Sequence, residues 1–185
     1  MEEKVSSLYQ MMSHNFNRGR IQKEIQKLKS IDESETNLDD KIQNWIGIIG
    51  KLANADRVYV YFFTEDENGY IIANNTHEYC KKGISSVKDE QQNIPIDLFP
   101  FYKSVVYEKL NFAWINSIND LSEEAKSMKE LMEFQNLKSI LAIPIAGEQE
   151  PIGFIGYETI KKEKQWKEEH LDLLKAVSDL ILTNK

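Results

Sequence analysis

The chain has 185 residues, 41% hydrophobic and 29% charged, with eight Phe, eight Tyr and three Trp, so one sizeable core is available and a wholly disordered chain is excluded. A net charge of -7 repels a phosphate backbone, which argues against a nucleic-acid partner. A lone cysteine, Cys80, and histidines scattered at positions 14, 77 and 170 exclude an internal disulfide and a structural zinc cluster.

Val5, Leu8 and Met12, then Ile21, Ile25 and Leu28, recur at helical spacing and predict a stem helix with a narrow apolar stripe, broken or kinked near Gly19. The polar stretch 30–37 reads as a linker. The chain therefore divides into a helical stem and linker over residues 1–38 and a domain over 39–185. Asp39 or Asp40 is expected to cap a helix with Ile42, Trp45, Ile46, Ile49 and Leu52 on one face. At Arg57 the period changes: VYVYFF reads as a central strand buried on both sides. The Asn68-Gly69 turn then leads to a second strand over 70–79. Residues 81–93 are charged and aperiodic, an excursion from the sheet.

Leu98, Phe101, Val105, Val106 and Leu110 predict one short amphipathic helix, followed by a brief strand over 112–115. Another helix is expected from Ser122, capped by Ser122 or Asp120, with Met128, Leu131, Met132 and Phe134 along it. LKSILAIPI (137–145) and PIGFIGYETI (151–160) are apolar strands joined by a short turn, as in an antiparallel hairpin. A final helix over 166–182 carries a wide apolar face. This order is α+β: an antiparallel sheet with the first and last helices on one face and the excursion over the other. No stretch reaches the roughly 18 apolar residues of a membrane span, and the N-terminus lacks a signal-peptide core, so a cytoplasmic location is expected.

The strings ADRVYVYFF (55–63), NTHEYCKKGI (75–84), IPIDLFPFY (94–102), LKSILAIPI (137–145) and EPIGFIGYET (150–159), then Trp166 with EEHLDLL, together resemble the GAF domains of bacterial sensor proteins, which stand beside PAS, histidine-kinase and diguanylate-cyclase modules. The resemblance implies a six-stranded antiparallel sheet with N- and C-terminal helices on one face and a lidded pocket on the other. It also implies a regulatory domain that binds a small molecule in signal transduction and does not catalyse.

Glu78, Tyr79 and Cys80 border the implied pocket, Phe99, Phe101, Tyr102 and Trp114 belong to the region that should cap it, and Glu158 ends the last strand, so these are the candidate ligand-binding residues. A plainer reading keeps Tyr79, Cys80 and the aromatics as core under the lid and pairs Glu78 with Lys81 or Lys82. Relatives that attach a tetrapyrrole use a cysteine followed by histidine, and Lys81 follows Cys80 here. Haem would need an axial ligand, for which His77 alone stands within the pattern, on the opposite sheet face from Glu78. The cyclic-nucleotide relatives' Asn-Lys pair is replaced by Thr159-Ile160-Lys161, and no cofactor is assigned.

Met12-Ser13-His14-Asn15 lacks the acidic residue and Arg-Thr-Pro of a phospho-accepting box, and His14 is expected to face solvent on the stem. The unpaired stem stripe and wide last helix imply a homodimer signalling through a helical bundle, with a kinase or cyclase output module as partner. Two alternatives stand beside this: a protein-interaction or dimerisation module with a vestigial pocket, and an enzyme resembling methionine-sulfoxide reductases, whose chemistry one cysteine does not support.

Overall fold

The computed structural model describes residues 19–31, 33, 35–146 and 150–185. The stripe expected at Val5, Leu8 and Met12, the expected exposure of His14, and most of the turn expected at 147–150 lie outside these residues. Helix α1 (19–31) carries Ile21, Ile25 and Leu28 at three-and-four spacing, and it runs into the stretch expected to be a linker. Leu28 is fully buried, and its carbonyl accepts the indole N–H of Trp45 at 3.0 Å.

Helix α2 (Leu38–Ala53) is capped by Asn37, two residues before Asp39, the nearer of the two expected caps. The Asn37 side-chain oxygen accepts the N–H groups of Asp39 and Asp40 at 2.8 and 3.3 Å, leaving both aspartates in the first turn, where the helix dipole favours negative charge. Asn54 ends the helix in the left-handed conformation.

Six strands form one antiparallel sheet: β1 (Arg57–Glu65), β2 (Ile71–Cys80), β3 (Ile94–Pro95), β4 (Ala113–Ile115), β5 (Ser139–Ile145) and β6 (Gly153–Thr159), in the order β3-β2-β1-β6-β5-β4. Strand β3 has no apolar alternation to announce it; its proline lacks an N–H, which suits a sheet edge. Val58 and Val60 of β1, Leu141, Ile143 and Ile145 of β5, and Ile155 and Tyr157 of β6 form one core with Ile42, Trp45, Ile46 and Ile49 of α2. Leu171, Leu174, Val177 and Ile181 of α5 (Glu168–Asn184) complete it. The intervening residues Tyr59, Tyr61, Ala142 and Phe154 belong to a second core on the other face.

That second face is covered by the excursion, which does not form the single helix expected from Leu98 to Leu110. Phe99 precedes a proline and is barred from the helical region, so the chain breaks there (φ -119°, ψ 66°) and restarts as α3 (Pro100–Tyr102), widening into a π-helical stretch over Lys103–Glu108. Helix α4 (Lys126–Phe134) buries Met128 and Met132 beneath it. Neither expected cap serves α4: Ser122 makes no capping bond, and Asp120 instead bonds reciprocally with Ser117 around Ile118–Asp120. Trp166 stands ahead of α5 rather than within it, stacked on Tyr157 with centroids 5.5 Å apart. The Lys167 N–H donates to His170 Nδ1 at 3.0 Å and closes the first turn of α5.

Helix α2 lies so close to the sheet that a Cβ added at Gly50 would come within 2.5 Å of the Tyr79 ring and 2.9 Å of a Val58 methyl. Alanine is favoured over glycine in a helix by about 1 kcal/mol, but overpacking a core site typically costs ~1–3 kcal/mol. Gly50→Ala is therefore expected to lower the midpoint of urea unfolding. A raised midpoint would show that α2 stands farther from β2.

Candidate functional site

Strand register assembles the site. Arg57 lies opposite Cys80 on one side and Glu158 on the other; Tyr59 lies opposite Glu78 and Gly156; Tyr61 lies opposite Asn75 and Phe154. Directly opposed residues project from the same face, and Tyr59, Tyr61 and Phe154 fix that face as the one under the excursion.

Arg57 is the hub. Its Nη1 donates to Glu158 Oε1, its Nε lies 3.5 Å from Glu78 Oε1, and its Nη2 donates to the Ser85 carbonyl at 2.8 Å. Glu78 Oε2 accepts the Val87 N–H at 3.1 Å and the Cys80 thiol at 3.4 Å, while Oε1 accepts the Asn75 amide at 3.2 Å. The three charged side chains are 6% (Arg57), 2% (Glu78) and 6% (Glu158) exposed, so the pairing takes place away from water, where an unpaired charge is costly.

Two carboxylates share one guanidinium. Burial raises the Glu158 carboxyl to about 7 against the opposing pull of Arg57, and Glu78 and Asp56 add to the rise. Burial, reinforced by Glu78, pushes the Cys80 thiol up to about 11, so at neutral pH it is a thiol and a weak nucleophile. Arg57 Nε and Asn75 Oδ1 are buried with no hydrogen-bond partner among the described residues. This donor and this acceptor both neighbour Glu78.

Beside the cluster the face is filled by its own aromatic side chains. Tyr61 stacks on Phe154 at 4.5 Å, Tyr102 lies over Phe154 at 5.1 Å, and the Tyr59 and Tyr102 hydroxyls are 3.2 Å apart. The Tyr59 side chain occupies the space above Gly156, where an added Cβ would come within 2.5 Å of its hydroxyl and 2.6 Å of its ring. Burial raises the pKa of both tyrosines, and both stay neutral.

Of the residues proposed from sequence, Glu78, Cys80 and Glu158 meet in the cluster, and Tyr102 belongs to the aromatic stack. Phe99 and Phe101 pack edge-on against Tyr102 at 6.4 and 6.2 Å. Tyr79 and Trp114 fall on the helix side: Tyr79 packs on Gly47 and Gly50, and Trp114 lies opposite Leu141. The expected pairing of Glu78 with Lys81 or Lys82 is replaced by Arg57, and the Lys81 ammonium goes to Asn54 Oδ1 at 2.6 Å. His77 lies opposite Val60, across the sheet from Glu78, 3.3 Å from Asp39. No group of His, Cys, Asp and Glu suited to a metal ion occurs among the described residues.

Arg57 and Asn75 were not singled out from sequence. The signal was present: Arg57 leads an apolar strand in the same alternation phase as Tyr59 and Tyr61, and a buried arginine demands strand-borne carboxylates.

Residues 37–183 match the family model of the GAF domain. The methanogenesis regulatory histidine kinase FilI of Methanothrix harundinacea (strain 6Ac) is 24% identical over 148 residues; the match covers 78% of this chain and spans 16% of the kinase's length. The phycocyanobilin-bound GAF domain from a cyanobacterial phytochrome superposes with a TM-score of 0.69 at 14% identity, covering 88% of this chain and 92% of that one. The blue-light-absorbing form of the Thermosynechococcus elongatus PixJ GAF domain gives 0.58 at 17% identity, covering 87% and 86%. At these identities the solved structures share the fold, and the family match over most of the chain carries the assignment: this protein belongs to the GAF domain family.

Proposed function

We propose that this GAF domain is a non-catalytic sensory module of a signalling protein, and that its effector is taken on the excursion face, over Arg57, Glu78 and Glu158. One observation carries the reading: the same buried cluster holds the sheet and the 81–93 segment together, through Ser85 on Arg57 and Val87 on Glu78. A small molecule that competes for either side chain releases that segment, so occupancy becomes displacement. A planar group has a place on Phe154 if Tyr102 gives way, and the unpartnered Asn75 oxygen would take a donor from it.

The path outward is short. Tyr79, between Glu78 and Cys80 on β2, packs on α2 from the other face of the sheet, so movement at the end of β2 reaches the helices. Helix α1 and helix α5, joined to the same core, then present Ile21, Ile25, Ala176 and Leu180 as the surface through which a second copy would form a helical bundle. The likeness to FilI supports a place beside a kinase output module, and a cytoplasmic location is part of the same proposal. The cyanobacterial phytochrome domain is bound to phycocyanobilin, but the raised pKa of Cys80 and its bond to Glu78 disfavour covalent attachment here. The same features disfavour sulfoxide-reductase chemistry.

A second reading, an interaction module with a closed pocket, draws support from the aromatic filling of the face. Native mass spectrometry and an absorption spectrum on protein purified without added ligand separate the two. The sensor reading expects a non-covalently held small molecule that Glu78→Gln loses. Bare protein from every expression condition favours the interaction module.

Glu158 supplies a pH test. Its folded pKa of about 7 stands above the ordinary 4.5, so its contribution to stability is fully present below the ordinary value and is lost as pH rises through the folded one. Wild type should therefore lose ground to Glu158→Gln in chemical denaturation as pH rises from 4.5 to 7. Wild type gaining ground instead would show that Arg57 holds Glu158 ionised throughout.

A further inference from the structure

A cavity of about 310 Å³ lies where β6 runs out, and Lys81, Lys161, Lys162 and Lys164 line it in a chain whose net charge is -7. Two carboxylates, Asp56 and Glu163, line it as well, each holding a hydrogen bond of its own. Asp56 Oδ2 accepts the N–H groups of Ile160 and Lys161 at 2.8 and 2.9 Å, and Glu163 accepts the Ser117 hydroxyl at 2.7 Å. Among the described residues, none of the four lysines forms a salt bridge. Lys81 reaches only a neutral amide oxygen, and Lys164 stands 5.5 Å over the Trp166 ring. Burial lowers the Lys164 pKa, and the nearby charges of Lys167 and Lys81 lower it further, against the opposing pull of Asp56 and Glu169.

A second observation points the same way. Thr159, only 4% exposed, also lines the cavity, and its hydroxyl has no hydrogen-bond partner among the described residues. A buried hydroxyl without a partner is uncommon in a folded protein and calls for an explanation. Alternation along β6 sets Thr159 on the opposite face from Glu158, so this cavity is separate from the Arg57 cluster.

We infer that the cavity is a binding site for a phosphate-class anion. Such a group brings several strong acceptor oxygens and up to two negative charges, enough to take a hydrogen bond from Thr159 and to pair with ammonium groups that form no salt bridge among the described residues. The anion is free phosphate or pyrophosphate, or the phosphate end of a nucleotide; the chemistry recognised is the same.

Titration calorimetry of the full chain with pyrophosphate, at ionic strength fixed with chloride, tests the site. Saturable binding is expected, weakened about tenfold or more in Lys81→Gln/Lys161→Gln, since each lost charge-assisted bond is a large share of the affinity for a small anion. Thr159→Val controls for folding, because it removes an unsatisfied hydroxyl: its melting temperature should hold or rise while pyrophosphate binding weakens. ADP binding more tightly than pyrophosphate assigns the site to a nucleotide; equal affinity assigns it to the free anion. Absence of saturable heat at millimolar pyrophosphate, or affinity unchanged in both variants, overturns the inference.

Discussion

A buried guanidinium organises this domain. Arg57 begins the central strand, its partners Glu78 and Glu158 come from the strands on either side, and its remaining donor reaches the 81–93 segment. Breaking a buried pair by removing one partner typically costs ~3–5 kcal/mol, because the other charge is left without water or counter-ion. Three strands and a long connection thus meet at one point that tolerates little rearrangement. The surplus carboxylate makes the point adjustable, since with Glu158 protonated the cluster is neutral and with Glu158 ionised it carries net negative charge.

Around that hub the two faces of the sheet differ in kind. The helix face is aliphatic, close-packed and tied to α2 and α5 through residues such as Ile155, Tyr157 and Leu174. The excursion face is aromatic and polar, and its cover is assembled from short helical pieces rather than one long element. Short pieces bury little surface each and open at lower cost than long helices, which is compatible with the proposed entry of an effector on this face. Tyr79 joins the two halves: it sits on β2 between two members of the polar cluster, yet its ring lies under Gly50 of α2.

Much of this was legible in the sequence. Strands β1, β2, β5 and β6 announced themselves through alternation and apolar runs, and the alternation that sets His77 and Glu78 on opposite faces agrees with the register of β2 against β1. The same phase rule, applied to Tyr79 and Trp114, assigns them to the helix side, and grouping them with their sequence neighbours obscured it. The excursion was less legible for a physical reason: Phe99 before Pro100 interrupts a helical pattern that the apolar spacing of Val105 and Val106 still suggests. The partners of Arg57 were hidden because they are 21 and 101 residues away in sequence and meet it only through the register of the sheet. The lysine cavity was equally hidden, since Lys81 joins Lys161 and Lys164 only when the ends of β2 and β6 come to flank the start of β1.

The central claim is that Arg57 pins the 81–93 segment to the sheet, and residue-resolved amide hydrogen exchange in wild type and Arg57→Gln tests it most directly. The account predicts that Val87 and its neighbours lose protection in the variant while amides of β5, β6 and α5 keep theirs. Protection at Val87 unchanged by the substitution would contradict it.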